Sequence, residues 1–303
     1  GGMNVIRYGS TRENLLDLEV VLASGEILKL GSKVIKDNSG YNIKSLFCGS
    51  EGTLGIITKA SIKLHPMPLD YINCFVSIDD FENVVYLANL LTTQFNDNIE
   101  SIELIPDLAF MLCEKHKLIK GTFFEKRANY YILIKFALFE SKDQFYSRIE
   151  KFFLKYKNNI IEVLLSQNEN QSRKFWKFRD SITEAQRLEG QVIPFDISIP
   201  IDRLEIFLKE AKNGIDKVLP NVKYYTFGHL GDSNLHFNLI EPDKFGGAFF
   251  SYEPKFKKLI LKLVKKYNGS ISAEHGIGIL KKSDLIKSKS KAEIDLMKKI
   301  KKI

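Results

Sequence analysis

Phe227-Gly-His229-Leu-Gly-Asp232-Ser-Asn234-Leu-His236-Phe-Asn238 is the stretch from which the rest of the chain can be read. Leu235, Phe237 and Leu239 alternate with His236 and Asn238. An extended strand therefore puts the apolar residues on one face and His236 and Asn238 together on the other. Gly231-Asp232 reads as a tight turn, and His229, on its far side, folds back towards His236. Two imidazoles with a carboxylate from elsewhere make a three-ligand site with an open position, the form a catalytic divalent metal takes. A second run, Ser272-Ala-Glu274-His275-Gly276-Ile-Gly278, supplies a carboxylate and another histidine. A lone buried histidine is most simply satisfied by backbone. Three of the chain's five histidines gathered with Glu274 among glycines point instead to a metal or catalytic site.

The composition bounds the classes. The chain has 303 residues, 44% hydrophobic and 27% charged, which suits a soluble globular protein of two domains or one large one. No apolar run reaches the roughly 20 residues that span a bilayer, and the N-terminus lacks the basic and apolar regions of a signal peptide. Cys48, Cys74 and Cys113 are far apart and odd in number, against a disulfide framework or a Cys-ligated metal and in keeping with a reducing cytosol. Much of the net charge of +8 lies in Lys255–Lys266 and Lys281–Lys302. There the lysines alternate with Ile, Leu and Met at helical spacing, as the solvated face of an amphipathic helix does. This argues against a nucleic-acid surface and leaves a modest pull on small anions or acidic partner proteins.

Taken in order, residues 1–66 read as β-rich, with a hairpin of Asp17–Ala23 and Glu26–Leu30 about Ser24-Gly25. A short helix over Ile43–Phe47 follows. Gly49-Ser-Glu51-Gly52-Thr-Leu-Gly55-Ile-Ile-Thr then leads into a strand through Leu64. Glycines at 49, 52 and 55 let the backbone turn sharply and approach something flat or anionic, yet the run is neither a Walker loop nor GxGxxG. His65-Pro-Met-Pro68 marks the domain boundary. Beyond it the pattern predicts helices over Phe81–Phe95, Ser141–Lys157, Ser172–Leu188, Asp202–Lys217 with Asp202 as N-cap, Pro254–Tyr267 and Asp284–Ile303. It predicts strands over Ile99–Ile105, Tyr130–Leu138, Ile160–Leu165, Val192–Ile199, Lys223–His229 and Leu235–Ile240. This alternation suggests an α+β domain of two ferredoxin-like units.

Several runs now stand in one order: Gly1-Gly2…Arg7-Tyr8-Gly9-Ser-Thr11-Arg12, Lys36…Gly40-Tyr41, Gly49-Ser-Glu51-Gly52-Thr-Leu-Gly55-Ile-Ile-Thr58, Gly228-His229-Leu-Gly-Asp232-Ser-Asn234-Leu-His236 and Glu274-His275-Gly276-Ile-Gly278. In this order they resemble the FAD-linked 2-hydroxy acid dehydrogenases, the group of the glycolate oxidase FAD subunit, D-lactate dehydrogenase and D-2-hydroxyglutarate dehydrogenase, within the vanillyl-alcohol oxidase fold superfamily. The resemblance covers essentially the whole chain. It implies the C-terminal part of a vanillyl-alcohol-oxidase-type FAD-binding domain in residues 1–66, a ferredoxin-like α+β cap or substrate domain in 67–268, and a C-terminal segment, 269–303, returning towards the FAD domain. It also implies a chain that begins inside the second FAD subdomain, without the first, and ends before the Asn-Pro-Gly-Lys-type tail of the family. Such a chain is a fragment, a split gene product or a truncation, and holds half a flavin site.

The chemistry implied by the resemblance is oxidation of a 2-hydroxy acid to the 2-oxo acid, with hydride passing to FAD. His229, His236 and Glu274 would hold a divalent metal, zinc or manganese. His275, pointing away from its neighbour Glu274 in an extended segment, would be the base. Trp176-Lys-Phe-Arg179 matches the family's Trp-x-x-Arg segment. Arg179 would then clamp the substrate carboxylate, with Thr183 at i+4 on the same helical face and Asn238 as a further substrate contact. Glu51, Gly52, Leu54, Gly55, Ile56, Ile57 and, less directly, Tyr41 would meet the flavin. Ser233 stands where many members have glycine, and Pro194 lies near a lysine of the hydroxyglutarate-type members, which tilts the substrate towards glycolate or D-lactate. An iron–sulfur electron-transfer subunit and a homodimer are further partners it implies, in the cytoplasm or at the periphery of the inner membrane through partners. The competing readings are a catalytically incomplete cap or assembly subunit needing a separate N-terminal half, a metal-dependent hydrolase on the same ligands, and a related flavin-dependent lyase or synthase. The Gly49–Thr58 run has no role in a hydrolase.

Overall fold

The computed structural model describes residues 2–302. Gly1 of the Gly-Gly pair and Ile303, the expected end of the last helix, lie outside the described residues. In chain order come short helices α1 (Val5–Tyr8) and α2 (Thr11–Asn14), strands β1 (Leu15–Val21) and β2 (Ile27–Gly31), helix α3 (Lys44–Phe47) and strand β3 (Ile56–Ile62). After Pro68 follow β4 (Asp70–Ile78), α4 (Phe81–Phe95), β5 (Ile99–Pro106), α5 (Asp107–Lys115), β6 (Tyr130–Leu138), α6 (Lys142–Lys155), β7 (Glu162–Leu165) and α7 (Glu169–Glu189). Next are β8 (Val192–Ile193), β9 (Asp196–Ser198), α8 (Leu204–Val218), β10 (Lys223–His229), β11 (Asn234–Ile240), α9 (Glu253–Lys266), α10 (Lys282–Ser288) and α11 (Lys291–Lys302). Two units form. One holds Tyr8–Met67 with Glu274–Ile303, the other Gly2–Arg7 with Pro68–Ala273.

The first unit is a small antiparallel sheet in the order β2-β1-β3. Its core is Leu15, Leu18 and Val20 of the central strand against Phe47 of α3. A side chain at Gly55 would collide with Val20, the carbonyl of Val21 and Phe47, so glycine is what lets β3 start so close to that core. β3 is exposed along nearly its whole length.

The second unit is one antiparallel sheet in the order β7-β4-β6-β5-β10-β11-β8, with β9 also on β11. β4, β5, β6 and β7 with crossovers α4 and α6 make one ferredoxin-like half. The segment β8–β9, α8, β10, β11 and α9 makes the other, closed by a single bridge from Ser198 to Ser270. The halves join at β5 and β10, where Gly228 faces Leu104 and His229 faces Glu103. Alternation along the strands divides the side chains. Ile102, Leu104, Leu235, Phe237 and Leu239 enter a core roofed by α4, α6, α8 and α9. Ile105, Tyr131, Leu133, Phe75, Tyr225 and Phe227 enter a second core on the other face, roofed by α5 and α7. Each fully buried Phe or Leu there is worth roughly 1.5–3 kcal/mol.

Several expectations are corrected in detail. The strand expected over Val192–Ile199 is broken at Pro194 into β8 and β9, because proline has no ladder N–H. Asp202 does not cap α8. The helix begins after a tight turn, Ile201–Arg203, and the Asp202 carboxylate pairs with Arg203. The last helix is two, because Ser290 and Glu293 make reciprocal capping bonds that restart it. Among the described residues no helix is long and apolar enough to cross a membrane.

One ion cluster ties α5, α7 and β10 together. Lys115 and His116 donate to Glu189 at 2.7 and 3.0 Å, and Lys223 donates to it as well. Burial pushes the Glu189 pKa up, but bonds from Lys115, Lys223 and His116 outweigh it and hold the carboxyl down to about 2. That folded-state value lies below the unfolded one, so the stabilisation is present above the unfolded value and is lost as pH falls through the folded value. Glu189→Gln should therefore unfold at a lower temperature than the parent at neutral pH. The gap should close as pH falls from about 4 towards about 2. A gap that stays constant across that window contradicts the assignment.

Candidate functional site

Ser101-Ile102-Glu103-Leu104 alternates polar and apolar residues in the middle of β5. Strand geometry sends Ile102 and Leu104 into the first core and Glu103 towards the face under α7. A carboxylate there is 0% exposed, which is costly unless it is paired and hydrogen-bonded. It is paired twice. Arg179 Nε donates to Glu103 Oε2 at 2.7 Å, and His229 Nδ1 lies 2.6 Å from Glu103 Oε1. Burial pushes the Glu103 pKa up. The Arg179 guanidinium beside it and the bond from His229 pull harder, so the carboxyl sits below its usual range.

Each partner arrives for a local reason. Phe175, Phe178, Arg179, Ile182, Ala185 and Gln186 form the buried stripe of α7 at helical spacing. Asn168 caps that helix by accepting from Gln171 N–H. Trp176 is anchored by donating to Asn73 at 2.8 Å. Arg179 thus enters an apolar core with its guanidinium carbon 5.0 Å from the centre of the Phe227 ring. His229 ends β10 and His236 lies in β11, opposite Phe227 in the register. A one-turn helix, Leu230–Asp232, reverses the chain between them, and Ser233 takes the left-handed conformation at φ 66°. Serine is tolerated where glycine would be free of strain, at a cost of roughly 1–2 kcal/mol. The rings of His229 and His236 are 5.5 Å apart, and that of His236 is 5.0 Å from Phe227.

Arg179, His229, His236 and Asn238 are therefore brought to one face of one sheet, with Glu103 at its centre. Asn238 donates to Gln186 of α7 at 2.8 Å, and Thr183 is half-buried one turn beyond Arg179. Asp196 of β9 faces His236 across the register. Sequence reasoning missed Glu103. The strand itself gives no signal, since β5 also carries Glu100 and Ser101 and only the fold shows how Glu103 is paired.

The remaining candidates lie in the first unit. Glu274 and His275 sit in an irregular loop, and His275 is exposed. Glu51, Gly52, Leu54 and Gly55 form the turn before β3. Ile56 and Ile57 are exposed on that strand, and Tyr41 is 97% exposed. The Glu51 carboxylate accepts from the N–H groups of Ile277 and Gly278, each at 2.7 Å. The Gly49–Gly55 turn thereby braces the loop that carries Glu274 and His275.

The donor chemistry fits a divalent metal. An imidazole whose Nδ1 proton is taken by a carboxylate has its lone pair on Nε2, the arrangement metal-ligating histidines adopt. The exposed turn and exposed isoleucines of the first unit fit a flat cofactor with an anionic tail.

Known proteins share this architecture. The family described as FAD linked oxidases, C-terminal domain, matches residues 70–303. The D-2-hydroxyglutarate dehydrogenase of Xanthomonas citri pv. viticola is 33% identical over 306 residues, covering 99% of this chain and 63% of that protein. A putative mitochondrial D-lactate dehydrogenase of Schizosaccharomyces pombe is 32% identical over 318 residues, covering 100% of this chain and 59% of that one. The chain thus spans about three-fifths of the length of these curated relatives. In fold it resembles substrate-bound p-cresol methylhydroxylase, with a TM-score of 0.67 at 13% identity, over 97% of this chain and 64% of that one.

Gly228 lets β10 and β11 approach at the site. Its φ is 147°, and an added Cβ would lie 2.6 Å from the carbonyl oxygen of Asn234. Gly228→Ala should lower stability by about 1–3 kcal/mol in urea denaturation. An unchanged midpoint would show that the hairpin gives way freely.

Proposed function

The chain belongs to the FAD-linked oxidases through that family's C-terminal domain, and from this premise we propose that it serves the FAD-dependent oxidation of a 2-hydroxy acid to its 2-oxo acid. The observation that supports this best is the buried face in which one carboxylate, Glu103, orients both an arginine and an imidazole. Packing alone gives little reason to bury such a group, since apolar residues of similar volume often do as well.

In this reading the Arg179 guanidinium takes the substrate carboxylate through its Nη edge, since Nε is held by Glu103. Asn238 and Thr183 hydrogen-bond the substrate beside it. His229, His236 and Glu274 would hold a divalent metal, and Glu51, Gly52, Leu54, Gly55, Ile56, Ile57 and Tyr41 would line part of an FAD site. When bound, the metal supplies a Lewis acid for the substrate hydroxyl and FAD a hydride acceptor. His275 takes the hydroxyl proton as the Cα–H bond gives up its electron pair and the C=O bond forms. The brace from Glu51 keeps the His275 loop in one conformation.

The finer reading is a short acid, glycolate or D-lactate. Pro194 breaks the edge of the sheet between β8 and β9 without offering a cation for a distal carboxylate. A second reading, D-2-hydroxyglutarate, is favoured by the name of the Xanthomonas relative.

Anaerobic mixing of the FAD-loaded protein with each acid tests the reaction, read as bleaching of the flavin's visible absorbance. D-lactate or glycolate should reduce it with a larger second-order rate constant than D-2-hydroxyglutarate. The reverse order would favour the second reading, and no bleaching by any 2-hydroxy acid would remove the proposal. His275→Asn should slow the reduction by ~10²–10⁴-fold while leaving substrate binding nearly unchanged. Arg179→Lys should lower kcat/KM by ~10²-fold, chiefly through KM. A parent-like rate in either variant contradicts the role given to that residue.

A further inference from the structure

We propose that Glu103 is a positioning residue that sets two arms of the site at once, fixing the tautomer of His229 for a metal and the roll of Arg179 for the substrate carboxylate. The inference deepens the reading above and rests on it.

Three observations carry it. First, the two oxygens of Glu103 serve different partners, Oε2 the Arg179 Nε at 2.7 Å and Oε1 the His229 Nδ1 at 2.6 Å. Second, the acid stands where packing alone would prefer leucine. Its register neighbours are Leu133 of β6 and His229 of β10, and Ile105 and Phe227 share its face. Replacing a buried ion pair by well-packed apolar residues is often neutral or stabilising, so such a pair is weak evidence of a purely structural role. Third, the oriented groups touch one another. Arg179 lies over Phe227, Phe227 meets His236, and His236 meets His229, at 5.0, 5.0 and 5.5 Å. A change in the rotation of any one of them therefore reaches the others.

The chemistry requires a carboxylate. An ionised carboxylate only accepts, so Nδ1 of His229 must carry the proton and Nε2 the lone pair. Arg179 has no acceptor, so its Nε can meet only an oxygen. A glutamine offers one acceptor and one donor. With its oxygen on Arg179 Nε, its NH2 meets His229 Nδ1, which can accept only as the Nε2–H tautomer, the form that withholds the Nε2 lone pair from a metal. An aspartate keeps both acceptors but withdraws them by one methylene.

The test uses the full chain and zinc or manganese ions alone, by competition with a chromophoric chelator, alongside ¹⁵N NMR of the histidine rings. The parent should show His229 as the Nδ1–H tautomer. Glu103→Gln should weaken metal binding by ~10–100-fold and shift His229 from that tautomer. Glu103→Asp should fall between the two, and it decides the matter by itself if the glutamine variant fails to fold. In the FAD-loaded protein both variants should raise KM for a 2-hydroxy acid more than they lower kcat. Parent-like metal affinity, tautomer and KM in a folded Glu103→Asp or Glu103→Gln protein would overturn the proposal. So would an Nε2–H tautomer in the parent. A parent that takes up neither metal yet shows the Nδ1–H tautomer and the KM effect would sink the metal reading and leave the positioning role of Glu103 standing.

Discussion

One buried carboxylate governs how the second unit can be assembled. Glu103 lies where β5 meets β10, the seam between two ferredoxin-like halves. Taking a carboxylate out of water costs several kcal/mol even after relaxation, so the seam closes only if both donors arrive. His229 comes from the second half of the sheet and Arg179 from α7, which crosses the face outside both halves. The interaction therefore selects the register of β5 on β10 and the position of α7 together. The apolar packing around it supplies the bulk of the free energy but is less selective, since cores tolerate exchange among residues of similar volume.

The same constraint holds the charged side chains at this seam in fixed orientations. A charged pair is oriented most firmly where water cannot compete for it, and the Phe227 ring and the apolar stripe of α7 exclude water from Arg179. The first unit uses a different device for the same end. There Glu51 accepts two backbone N–H groups from the loop after Glu274 and His275, joining two Gly-rich runs more than two hundred residues apart in sequence. Glycine at 276 suits this brace: its φ is 73°, and a Cβ there would push the Glu51 carboxylate aside.

Much of this was legible in the chain. Strong periodicity disclosed α4, β6, α7, β10, β11 and α9, and the α+β reading with two ferredoxin-like units matches the observed strand order. The His229–His236 hairpin could be read because its turn is marked by glycine and its strand alternates cleanly. β4 and α5 went unread for physical reasons. β4 is covered by helices on both faces, so buried Asn73 and Ser77 share a face with Phe75 and no solvent face marks the strand in sequence. α5 is one short stripe on the second core. Glu103 was invisible for a different reason: its meaning lies in partners 76 and 126 residues away, and no local pattern reports them. A single last helix is what lysines alternating with Ile, Leu and Met suggest; the break at Ser290 is visible only in its capping bonds with Glu293.

A double-mutant cycle on Glu103 and Arg179, read as free energy of urea unfolding, tests most directly whether this pairing organises the fold. Each single replacement by glutamine strands a buried charge, whereas the double replacement removes both. The account predicts a coupling energy of at least ~1.5 kcal/mol, the lower end for close charge pairs, with the double variant more stable than the sum of the single losses allows. Losses that simply add, within about 0.5 kcal/mol, would contradict it.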